Sequence, residues 1–165
     1  MTPAEVDKML SAYNRCLSRA THLRNQLTMM EHQLEVERAH ILASEALHGQ
    51  SYDSQPHGTG PGNPVENLVL RYISGFEPKY IKDLQRDVDR AKDELFECEM
   101  VIKFVNGWML ALTEREKFII QRHVLDHSTW RIVLDQYEKQ YGQFGKEGLR
   151  KIKKKALGKI YEAAE

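Results

Sequence analysis

IKDLQRDVDRAKDELFECEMVIKFV, residues 81–105, decides the fold class. Ile81, Leu84, Val88, Ala91, Leu95, Cys98, Ile102 and Val105 recur at steps of 3, 4, 3, 4, 3, 4 and 3. That is the heptad spacing of a helix with one apolar seam. Charged residues, among them Lys82, Asp83, Arg86, Asp87 and Lys92, fill the positions between. A helix with such a seam needs a second helix to cover it. The N-terminal stretch supplies one. From residue 3 to about residue 48 there is neither glycine nor proline after Pro3, which itself suits a first turn. Leu10, Tyr13, Leu17 and Ala20, then Leu23, Leu27, Met30 and Leu34, continue a seam whose register slips once, between Ala20 and Leu23.

Residues 49–63, GQSYDSQPHGTGPGN, hold four glycines and two prolines and read as a flexible loop. Asn63-Pro64-Val65-Glu66 restarts a helix with a cap, a first-turn proline and an acidic third position. The simplest packing is an antiparallel hairpin across this loop. A self-associating coiled coil is the competing arrangement, so a homo-oligomer through the N-terminal helices is a candidate assembly.

The chain of 165 residues has no net charge. The neutrality hides a split: residues 1–100 carry 11 Lys/Arg against 16 Asp/Glu, and residues 101–165 carry 13 against 8. Charge concentrates further in residues 145–160, GKEGLRKIKKKALGKI, with seven Lys/Arg and one Glu. Leu149, Ile152, Ala156, Leu157 and Ile160 form one apolar stripe there. The like charges around it repel one another unless a polyanion neutralises them.

The residues before this stretch punctuate several short helices. Asn106-Gly107 reads as a break or cap. Thr113-Glu-Arg-Glu116 is a capping box opening a helix of about three turns. Asp126-His127-Ser128 ends that helix and caps the next, which shows Trp130, Val133, Leu134 and Tyr137 on one face. Tyr141-Gly-Gln-Phe-Gly145 is the following turn. A capped helix, a glycine-bearing turn and a basic amphipathic helix form a helix-turn-helix pattern. The stripe from Leu149 to Ile160 is expected to pack on Trp130, Val133 and Tyr137. Glu147, Arg150, Lys151 and Lys154 then face outward, where they would read base edges in a major groove about 12 Å wide. Lys146, Lys153, Lys155 and Arg131 would contact phosphates, with Ser128 and Thr129 adding hydrogen bonds from a helix N-terminus. Six such contacts predict a log–log salt slope of roughly −5.

Leu112-Thr-Glu-Arg-Glu116, Ile119, Arg122, Thr129-Trp130, Val133 and Leu149-Arg-Lys-Ile with Ala156-Leu157 resemble region 4 of bacterial sigma factors. More closely they resemble phage-encoded late transcription regulators of the RinA/ArpU type. Those join such a unit to an N-terminal helical segment. The loop at residues 55–64 followed by a long charged helix is similar to the same proteins. His123, Leu134, Gly145 and a longer turn at residues 137–145 depart from the pattern. The resemblance implies an all-α fold, with a helical hairpin or coiled coil over residues 1–106 and a DNA-binding domain over residues 107–165. It implies a sequence-specific regulator of phage or prophage late genes, with double-stranded DNA as partner and RNA polymerase as a further candidate. A small-terminase-like DNA-packaging oligomer and a coiled-coil adaptor with an acidic partner are the alternatives.

No catalytic constellation is visible, and neither an enzyme activity nor a cofactor is expected. His123 and His127 sit four apart, but no metal-ligand set surrounds them. Cys16 and Cys98 fall on apolar helix faces and read as buried thiols of a reducing compartment. No signal peptide is visible at residues 1–8. The longest apolar run, residues 100–112, contains Lys103 and Asn106 and is far short of the ~20 residues that span a bilayer. A cytoplasmic, nucleoid-associated protein without membrane contact is expected.

Overall fold

A Thr2 N–H to Glu5 carboxylate hydrogen bond of 2.7 Å, with Pro3 behind the cap, starts the first helix. This helix, α1, runs Pro3–Gly49. The computed structural model describes residues 1–49 and 78–164. The expected loop at residues 49–63 and the helix expected to restart at residue 63 lie outside the described residues, apart from Gly49. The second helix, α2, is Lys79–Leu110. Three helices follow: α3 at Glu114–Ile119, α4 at Trp130–Tyr141 and α5 at Lys146–Ala164. A π-helical segment, Ile120–Leu125, continues α3. Among the described residues all regular structure is helical, as the heptad spacing implies, and no helix is long and apolar enough to cross a membrane.

The chain forms two compact units, Met1–His22 with Leu95–Glu165, and Leu23–Glu94. The second unit is a seam between α1 and α2. Leu23, Leu27 and Leu34 are buried on one helix, and Ile81, Val88 and Ala91 on the other. Lys92 pairs with Glu31 at 2.7 Å, and Arg38 donates to Gln85 at 3.3 Å. Numbers rise along α1 as they fall along α2, so the two helices run antiparallel. These exposed pairs add little, and the buried leucine, isoleucine and valine side chains carry the pairing.

In the first unit the same two helices meet at Cys16, Ala20 and Cys98, and Tyr13 donates to Asn106 Oδ1 at 2.7 Å. Cys16, not Leu17, occupies the α1 seam; Leu17 is 39% exposed. The register slip therefore falls at Leu10, Tyr13 and Cys16, two successive steps of three, and earlier than the spacing of leucines suggests. The apolar pattern offered both residues, and packing against Cys98 selected the smaller one.

α2 does not break at Asn106-Gly107. Val105 and Trp108 flank that pair, and both are buried in one cluster with Val6, Leu10, Leu112, Ile120, Leu125, Ala156 and Ile160. A glycine inside a helix costs about 1 kcal/mol. Burying a tryptophan and a valine on either side outweighs it. The short helices after Leu112 thus share a core with both long helices.

Candidate nucleic-acid interface

The capping box forms as read: the Glu116 carboxylate accepts from the Thr113 N–H and hydroxyl, both at 2.9 Å. The helix it opens is not regular. Asp126 N–H reaches Gln121 O at 2.8 Å, one residue further back than an α-helix allows. The widened turn lets successive residues serve two cores. Ile119 is buried against Val133, Tyr137 and Leu149, and Ile120 against the base cluster around Trp108. The junction into α4 is tied from several sides. His127 takes a left-handed φ of 52°. His123 Nδ1 lies 2.8 Å from Ser128 O, and its ring is 3.8 Å from that of Trp130. Asn14 of α1 donates to Leu125 O at 2.7 Å.

α4 ends at Gly142, whose φ of 88° suits glycine and strains other residues. Phe144, in the turn, lies 5.5 Å from the Tyr137 ring. It also rests on Gly148, where an added β-carbon would collide with the ring. Glycine in the first turn of α5 is therefore a packing requirement.

α5 is held at two places. Leu149 and Ile152 pack with Trp130, Val133 and Tyr137, as the stripe implies. Ala156 and Ile160, with Leu157 and Tyr161, instead enter the base cluster with Val6, Leu10 and Trp108. The stripe was expected to lie wholly on α4. That helix has 12 residues and α5 has 19, so α5 outruns it. The overshoot is covered by α1 and α2.

The basic residues separate accordingly. Lys146, Arg150, Lys151, Lys154 and Lys155 are exposed, with Glu147 among them. Arg150 is paired to Glu147 at 2.5 Å. Thr129 and Arg131, at the start of α4, are exposed, and Ser128 is half-buried. Lys153 is half-buried, its ammonium 6.0 Å from the centre of the Trp130 ring. Lys159 turns inward and meets the Glu116 carboxylate at 2.8 Å. Glu116 is 4% exposed. Burial pushes its carboxyl pKa up, but hydrogen bonds from Lys159 and Thr113 and the charge of Lys159 outweigh burial and hold it below the ordinary value. No motif joins Glu116 to Lys159, 43 residues apart, so sequence spacing held no signal for the pair.

The outcome is a rod anchored along one side and cationic along the other. Five unburied cations on its first three turns can meet a polyanion without losing their hydration on folding. Comparison of the chain with known protein families, curated proteins and solved structures finds no match.

Proposed function

We propose that this chain is a sequence-specific duplex DNA-binding protein of transcription control, acting on phage or prophage late genes. The observation that carries the reading is the division of α5: its apolar side chains are fixed in two clusters, and Lys146, Arg150, Lys151, Lys154 and Lys155 stand in solvent. A helix so held fits a major groove, and the cations along it neutralise phosphates and release counterions. In this reading Arg150, Lys151, Lys154 and Glu147 meet base edges. Lys146, Lys155 and Arg131 meet phosphates, joined by Ser128 and Thr129 at the start of α4. Lys153 covers Trp130 and reaches a phosphate only by leaving the ring. The late-gene assignment rests on the sigma-region-4 resemblance. RNA polymerase contact, and self-association through the long helices, belong to the same proposal.

The test is selection of binding sites from random duplex DNA by the purified full chain at physiological salt. Enrichment of one sequence with nanomolar or tighter affinity is expected. Loss of all duplex retention at about 0.1–0.15 M salt overturns the reading.

A further inference from the structure

The N-terminal part of α1 carries a second positive stripe. Residues 8–22 contain Lys8, Arg15 and Arg19 and no acidic residue, although residues 1–100 as a whole are acidic. Lys8, Ser11, Arg15, Ser18 and His22 are all exposed. Their spacing of 3, 4, 3 and 4 places them on one side of the helix.

Which side follows from the contacts of α1. Leu10 faces the base cluster, and at 100° per residue the other positions can be set around it. Tyr13, Ala20 and Cys16 lie about 60–120° to one side. They meet α2, through Asn106 and Cys98. Asn14 and Asp7 lie about 40–60° to the other side. They meet the helix-turn-helix elements: Asn14 holds Leu125 O, and Asp7 accepts from the Tyr161 hydroxyl at 2.8 Å. Ser18, Ser11, His22, Arg15 and Lys8 follow on that same side, about 80–160° round. The stripe therefore borders the flank of α1 that touches the turn before α4, where Ser128, Thr129 and Arg131 stand. The acidic groups nearby are engaged: Asp126 accepts from Asn14, Gln121 and Arg122, and Glu5 accepts from the Thr2 N–H.

We infer that Lys8 and Arg15 form a second phosphate-contact surface, which grips the DNA backbone beside the segment met by α5 and α4. The inference rests on the DNA-binding reading above and extends its footprint. Seven residues of helix separate the two charges by about 10 Å, a spacing two phosphates of one strand can match.

The experiment measures binding of the full chain and of a Lys8→Gln/Arg15→Gln variant to random-sequence duplexes of roughly 10 and roughly 30 base pairs, one and three helical turns. On the longer duplex the variant's salt slope should be shallower by about 2, at roughly 0.9 per lost contact. On the shorter duplex the two proteins should agree. Both side chains are exposed, so the thermal midpoint should not move, and it reports that the variant is folded. Equal slopes on the longer duplex, or an equal loss on both lengths, overturn this surface and leave the α5 reading standing. Parent protein that binds neither duplex overturns both.

Discussion

The two halves of α5 both carry lysines, six Lys/Arg in residues 146–155 and one in residues 156–164, and those lysines meet opposite fates. Residues 146–155 pack one side on α4 and leave five cations in solvent; residues 156–164 are wedged against α1 and α2, and the cation there, Lys159, is consumed by a carboxylate. A lysine's role is thus set by what lies opposite it. Glu116 faces Lys159, and among the described residues no carboxylate stands within ion-pair distance of Lys151, Lys154 or Lys155.

The largest effects should come from the anchors. Leu149→Ala and Ile160→Ala remove fully buried side chains from the two clusters and should each cost about 3 kcal/mol in urea unfolding. A loss below about 1 kcal/mol at either site would mean that half of the helix is not held. Next comes the ion pair. Lys159→Met leaves the buried Glu116 carboxylate without its cation and should cost about 2 kcal/mol, whereas Lys154→Met should change stability by less than about 0.5 kcal/mol. Equal costs would erase the distinction between the halves. On DNA, Arg150→Ala should weaken a selected site by on the order of 1–3 kcal/mol if it reads a guanine, and unchanged affinity removes it from the reading face.

The two glycines of α5 sharpen the contrast at about 1 kcal/mol. Gly148→Ala should destabilise by about that much, because its methyl group displaces Phe144; Gly158→Ala meets nothing within 4 Å and should stabilise by up to about 1 kcal/mol through helix propensity. The smallest effect is in pH. The Glu116 carboxyl has its folded pKa below the unfolded value. Its stabilisation is therefore present above the ordinary carboxylate range and lost as pH falls through the folded value. Glu116→Gln should narrow the stability gap between about pH 6 and about pH 3, read from urea midpoints. An unchanged gap would show that other carboxylates govern acid unfolding.

Much of the local architecture could be read from residue order. Heptad steps from Ile81 to Val105 imply a helix with a seam, because apolar spacing is a property of the chain itself. The capping box at Thr113 and Glu116 and the glycine turn before α5 are equally local. The basic residues of α5 were legible for the same reason. Leu17 was misplaced because two adjacent apolar residues fit a slipping register, and only the facing helix chooses between them. Asn106-Gly107 suggested a break because propensity counts one segment at a time, and Trp108 is buried by residues from α1, the π-helical segment and α5.

Residue order alone therefore determined the helical character of the described residues, their seams and caps, and a cationic amphipathic α5. Tertiary packing decided that Lys159 pairs with the buried Glu116, that Lys153 lies over Trp130, that α3 widens into a π-turn, and that α5 rests on two cores. Those outcomes depend on residues distant in the chain, Trp130 and Lys153 by 23 positions and Glu116 and Lys159 by 43, meeting at contact distance, where burial and charge pairing act, and no local spacing encodes such a meeting.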